Sequence, residues 1–219
     1  YVFAGDEAFF MDQAMDGISE HSLEDHERDF NLTVLYGRDT DAATIISEAK
    51  RFPMMAERTV VLVKEAQQIK DIEALASYVA QVQPSTVLAL ALKGKKLDKR
   101  KALYKAVQKH EAVYLEFPKL YDNQVPAWVE SQARSMGLKM SGKASALLGE
   151  YIGADLSRIA HELDKIAAFV GKGGEVTAQT IEERTGISRE FNTFELIKAI
   201  AAKDSTQAYR IAKSMGQNP

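Results

Sequence analysis

Four stretches of the chain carry residue types and spacings suited to chemistry. Gly137-Leu138-Lys139-Met140-Ser141-Gly142-Lys143-Ala144 fits G-x-x-x-x-G-K, but it puts Ala144 where a Ser or Thr must hold magnesium. It also follows a predicted helix, whereas a phosphate cradle needs a strand before it so that its N–H groups and the next helix dipole converge. The plainer reading is a helix-ending glycine followed by an N-cap at Ser141. His161-Glu162-Leu163-Asp164-Lys165 opens like H-E-x-x-H, yet Lys165 stands at the second ligand position and an ammonium repels zinc, so His161 reads as a surface residue. His21 and His26, among Glu24, Asp25 and Glu27, read as a solvated acidic loop. Neither a Ser, His and Asp grouping nor a carboxylate pair stands out, and we expect no catalytic residue, metal site or cofactor.

The fourth stretch is basic. Lys93, Lys95, Lys96, Lys99, Arg100 and Lys101 place six positive charges around Asp98, where a predicted strand gives way to a helix. That is the carboxyl edge of a sheet, where α/β folds place ligand sites. The cluster is a solvated face or a contact for nucleic-acid backbone or an acidic partner.

The elements that position these residues fall into two halves. Apolar, β-branched runs predict strands at Tyr1 to Ala4, Asn31 to Tyr36, Arg58 to Val63, Thr86 to Leu92 and Ala112 to Glu116. Helical patterns alternate with them at about 7 to 20, 41 to 51, 69 to 82 and 98 to 110, with Asp41, Asp71 and Asp98 as N-caps or first-turn acids. This alternation predicts a doubly wound parallel sheet of five strands, with Thr59 to Val63 central. After Pro118 the strand signal stops. Helices follow at Asn123 to Met136, Lys143 to Tyr151, Asp155 to Val170 and Ala178 to Thr185, closing at Gly137, Gly153, Gly171 and Gly186. A last pair, near Phe191 to Ala202 and Ser205 to Met215, is too small for a core of its own. The expected domains are therefore 1–120, α/β; 121–187, all-helical; and 188–219, the start of a third helical domain.

Composition sets the outer bounds. The chain has 219 residues, 46% apolar and 27% charged, with no cysteine, which suits a globular, cytoplasmic protein and excludes disulfide scaffolds and thiolate chemistry. No apolar run approaches the roughly 20 residues of a membrane span. The chain opens on a strand without a Met, as a fragment trimmed at its N-terminus would. Residues 1 to 50 hold 12 acids and 3 bases, leaving +6 on the remainder of a chain whose net charge is −3. An acidic first quarter argues against DNA binding on that face.

The element order is that of a nucleotide-binding module with a helical lid, but the nucleotide chemistry is missing. After strand one stand Gly5-Asp6-Glu7-Ala8-Phe9-Phe10, whose acids would repel a triphosphate, and strand three ends Val63-Lys64-Glu65, with a cation in place of the magnesium-binding acid. This combination resembles the delta subunit family of the bacterial DNA polymerase III clamp loader, of AAA+ fold and without ATPase activity. The resemblance rests on Gly5-Asp6-Glu7 with Phe9, on Arg58-Thr59-Val60-Val61-Leu62-Val63, and on Leu97-Asp98-Lys99-Arg100-Lys101 before Leu103-Tyr104-Lys105-Ala106. It continues through Pro126-Ala127-Trp128-Val129, Gly153-Ala154-Asp155-Leu156 and Ser188-Arg189-Glu190-Phe191-Asn192-Thr193-Phe194.

The resemblance implies an AAA+-like α/β domain, a helical lid and a truncated collar. It implies a protein that binds the sliding clamp (beta subunit) and opens its interface for loading on primed DNA. Its partners would be the tau/gamma ATPases, delta-prime and, in the assembled complex, DNA. No intrinsic ATPase is expected, although the family acts within a DNA polymerase holoenzyme. The clamp-binding wedge maps to Phe52, Pro53, Met54 and Met55 ahead of Arg58, and the two methionines depart from the Leu-Phe type pair common there. Judged by residue type alone, Met54 and Met55 are either tucked under the sheet, as methionine often is, or exposed for a partner; the resemblance favours exposure. Two other readings compete. An active P-loop ATPase is opposed by the missing Gly-Lys-Ser/Thr after strand one and by Lys64. A DNA-binding domain built on Lys93 to Lys101 would show a steep salt dependence.

Overall fold

The computed structural model describes residues 1–185 and 193–215. Its chain divides into two compact units between Lys119 and Leu120.

The first unit begins with β1 (Val2–Gly5), α1 (Ala8–Ser22), a 3-10 turn at Asp25–Glu27, and α2 (Arg28–Asn31). It continues through β2 (Leu32–Tyr36), α3 (Ala42–Ala49), β3 (Thr59–Lys64), α4 (Ala76–Val79) and β4 (Thr86–Lys93), and ends with α5 (Ala102–Lys109) and β5 (Tyr114–Phe117). All strand pairs are parallel, in the order β2-β3-β4-β1-β5. Helices cover both faces, so central strands have no polar side, and Thr59 to Val63 of β3 are buried throughout. On one face Val61, Val63, Leu90 and Leu92 pack with Ile45, Leu75, Tyr78 and Leu103. On the other, Phe3, Val60, Leu62 and Ala91 pack with Met11 and Met15 of α1. The edge strands β2 and β5 remain half exposed.

Two local expectations change. The single helix expected over 69–82 is a 3-10 turn, Ile72–Leu75, followed by the one-turn α4. Its acids are committed elsewhere: Asp71 accepts from the Ala42 N–H at 3.2 Å and Glu73 from the Leu103 N–H at 2.9 Å, so this turn caps α3 and α5 from outside. Asp98 does not start α5, which begins at Ala102; its carboxylate instead takes the N–H and guanidinium of Arg100. Asp41 does cap α3, accepting from Thr44 N–H at 2.8 Å.

The second unit runs through α6 (Val125–Ser135), β6 (Lys139–Met140), α7 (Gly142–Ile152), α8 (Leu156–Val170), β7 (Glu175–Val176), α9 (Ala178–Thr185), α10 (Thr193–Ala201) and α11 (Ser205–Met215). Val125, Val129, Leu148, Ile159, Leu163, Ile166 and Ile181 are fully or almost fully buried in it. The parallel pair β6 and β7 adds a strand signal the sequence did not give, since two residues are too few to display a period of two. Gly153, at φ +76°, closes α7 where the sequence expects the helix to end. The expected stop at Gly186 and the Ser188-Arg189-Glu190-Phe191-Asn192 segment lie outside the described residues.

Candidate functional site

The β1–α1 junction is where a phosphate loop would sit, and its polar groups are turned into the fold. The Phe117 carbonyl accepts from the N–H groups of Asp6 at 3.0 Å and Glu7 at 3.1 Å. Glu7, 7% exposed, caps α1 by accepting from the Phe9 N–H at 3.3 Å, so a carboxylate occupies the positive end of the helix dipole. Across the sheet Lys64 ends β3, and Glu65 follows in the left-handed region at φ +53°. Gly137 to Ala144 is the helix stop and cap that its sequence context indicates: Gly137 follows α6 at φ +75°, and the Ser141 hydroxyl accepts from the Ala144 N–H at 3.2 Å.

The histidines are dispersed. His161 is exposed, and its neighbour Lys165 pairs with Glu162 at 2.7 Å. His21 bonds the Gly17 carbonyl at 2.7 Å, and His26 lies 3.4 Å from Glu24. Among the described residues no group of three or more His, Asp or Glu side chains is arranged to hold a metal ion.

The six basic residues split in two. Lys93 pairs with Asp12 at 2.7 Å, Lys96 with Glu116, and Arg100 with Asp98 at 2.9 Å. The Arg100 guanidinium holds the Asp98 carboxyl far below the usual carboxylate range, and Lys96 lowers that of Glu116. No ion pair among the described residues engages Lys95, Lys99 or Lys101, all exposed. Half of the apparent positive charge is thus neutralised where it stands.

The connection from α3 to β3 has a different character. Phe52 is 78% exposed, Met54 53% and Met55 99%, while Pro53 is partly buried. A single exposed apolar residue is ordinary on a protein surface, but three large ones within four residues of one short connection form a patch of the kind that partners cover. Met55 also has φ +54°, a left-handed conformation that costs an ordinary side chain energy unless its surroundings hold it.

The residue before it, Met54, is bonded through both its backbone polar groups by Asn31, a residue the sequence reading missed. Only 2% exposed at the end of α2, Asn31 accepts from the Met54 N–H at 2.7 Å and donates to the Met54 carbonyl at 2.9 Å. Its second amide hydrogen goes to the Glu27 carbonyl at 3.0 Å. The partners are 23 residues apart, so no local pattern reveals the contact; the sequence places Asn31 at the start of the strand, whereas it ends α2 and β2 begins at Leu32.

Comparison with known proteins bears on this arrangement. The family model described as DNA polymerase III, delta subunit matches residues 1–117. DNA polymerase III subunit delta of Bacillus subtilis (strain 168) is 28% identical over 221 residues, a match covering 96% of this chain and 63% of that protein. The chain thus spans less than two thirds of the length of that curated relative. Among solved structures, the Bacillus subtilis DNA clamp loader delta protein (YqeN) matches with TM-score 0.77 and 28% identity, over 100% of this chain and 68% of its own. The Thermotoga maritima RuvB Holliday junction branch migration motor matches with TM-score 0.51 and 13% identity, over 99% and 74% of the two chains, a likeness of fold alone. The fold is AAA+-like.

Proposed function

The chain belongs to the DNA polymerase III delta subunit family, and from that premise we propose that its α/β unit binds a sliding clamp through the Phe52 to Met55 loop. It opens the clamp interface for loading on primed DNA. No covalent chemistry is involved: binding energy for one clamp conformation shifts an equilibrium that the clamp already has. The helical region after residue 120 serves as a lid, and residues from 188 begin a collar through which tau/gamma ATPases and delta-prime assemble with it. Lys95, Lys99 and Lys101, which no ion pair among the described residues engages, face the assembled complex rather than the clamp.

The observation that carries this reading is the 99% exposure of Met55 in a turn fixed from beneath. A methionine entering an apolar pocket contributes about 1.5 to 3 kcal/mol through burial, so two neighbouring ones suit the centre of a docking patch. Converting Met54 and Met55 together to Ser should weaken binding to a bacterial sliding clamp at least about tenfold, since about 1.4 kcal/mol is a factor of ten. Stability should change little, because exposed side chains contribute little to the core. Clamp affinity and urea midpoint measured on the same protein decide the matter. Unchanged affinity removes the loop from the interface, and a large stability loss makes the methionines packing residues.

A further inference from the structure

The loop between α3 and β3 is tied down from one place. Among the described residues, the backbone of 52–58 makes no hydrogen bond to other backbone, and both hydrogen bonds that reach it come from the Asn31 side chain. That side chain is buried and anchored in turn on the Glu27 carbonyl. A primary amide suits this position because it offers one acceptor and two donors in a plane, matching one N–H and two carbonyls. An Asp would keep the acceptor but aim its second oxygen at two carbonyl oxygens, and an apolar residue would keep nothing.

We infer that Asn31 is the positioning residue of the docking loop: by gripping both polar groups of Met54 it holds the next residue, Met55, out in solvent in its left-handed turn. The inference rests on the docking reading above and adds the device that prepares the loop. An unheld segment of this length samples many conformations and must be ordered on binding, which weakens affinity; a loop already held in its docking shape avoids that loss. Asn31 is buried and acts on a partner only through Met54 and Met55.

Asn31→Ala should speed hydrogen exchange at the Met54 amide at least tenfold, read by NMR on the free protein. It should also weaken clamp binding at least fivefold by calorimetry. Because its effect passes through Met54 and Met55, the same substitution in a background carrying both Met54→Ser and Met55→Ser should change clamp affinity less than twofold. An equal loss in both backgrounds overturns the inference, since Asn31 would then act elsewhere on the interface or the fold. Unaltered exchange at Met54 overturns it too. If Asn31→Ala does not fold, Asn31→Asp carries the same test, with exchange and affinity changed in the same direction. If the unsubstituted chain does not bind the clamp, the docking reading fails, and Met54 exchange still decides whether Asn31 holds the turn.

Discussion

The Phe117 carbonyl oxygen lies 2.3 Å from the place where a Cβ on Gly5 would be. Gly5 also has φ +127°, so the close approach and the backbone conformation both require glycine there. The two strands β1 and β5 are thereby drawn together at the head of α1, and the same carbonyl takes the N–H groups of Asp6 and Glu7. Gly5→Ala should therefore lower folding stability by at least about 2 kcal/mol, as a strained φ and a backbone clash do together. Urea denaturation checks this. A change within about 0.5 kcal/mol would mean that β5 moves aside easily.

The same geometry bears on nucleotide. With the Asp6 and Glu7 N–H groups spent on Phe117 and the helix end capped by Glu7, the β1–α1 junction has no cradle to offer a phosphate. ATP with magnesium should give no heat of binding at micromolar concentrations in calorimetry. Micromolar affinity abolished by Lys143→Ala would instead move nucleotide binding to the Gly137 to Ala144 turn, against its Ser141 cap.

The sheet was legible because its central strands are rich in apolar, β-branched residues: Thr59 to Val63 and Thr86 to Leu92 leave no helical reading. The stretch 69–82 misled because Asp71 and Glu73 look like first-turn acids of their own helix but cap α3 and α5. Residue type cannot tell which helix end a carboxylate serves; only the packing brings the two N-termini to that turn. The pairing inside the basic run was hidden in the same way, since Asp12 and Glu116, which neutralise Lys93 and Lys96, lie 81 and 20 residues away. At the docking loop, Pro53 and the paired methionines were visible, and family resemblance rather than residue type favoured their exposure. Asn31 was invisible for the reason that makes it effective: it acts across the fold.

Charge reversal separates the two surfaces of the α/β unit. Lys95→Glu, Lys99→Glu and Lys101→Glu together should leave affinity for the isolated clamp within about twofold, because none of the three lies on the 52–55 loop. Any DNA affinity of the assembled loader that uses them should lose salt dependence by about 0.9 in slope per lost backbone contact. A large loss of affinity in the two-component clamp assay would relocate the docking surface to the end of β4.

Acid should weaken the α/β unit through carboxylates held below their usual range. Asp98 is lowered by Arg100, Glu116 by Lys96, and Asp41 by the N–H groups at the start of α3. A depressed folded-state pKa contributes stability above the unfolded value, near 4, and that contribution is lost as pH falls through the folded one. The urea midpoint should therefore fall as pH drops from about 5 towards 2. Asp98→Asn should make that fall shallower while lying lower at neutral pH. Asp41 and Glu116 are solvent-exposed and Asp98 is only partly covered, so the difference is small, and superimposable curves for the two proteins would remove Asp98 from the account.

The left-handed turn at Met55 allows a cleaner removal of its side chain than serine does. At φ +54° a glycine relaxes the strain that methionine bears, and this gain offsets the extra freedom glycine brings to the unfolded chain. Met55→Gly should then change folding stability by less than about 1 kcal/mol, and the Asn31 bonds to Met54 remain available. What is lost is the thioether side chain, 99% exposed in the free protein and so contributing almost nothing to the core. If that side chain enters an apolar pocket on the clamp, its removal should weaken binding about tenfold or more, with slower exchange at Met54 retained. Full clamp affinity in Met55→Gly would show that the clamp recognises the loop's backbone or Phe52 and Met54, and would place the docking energy off Met55.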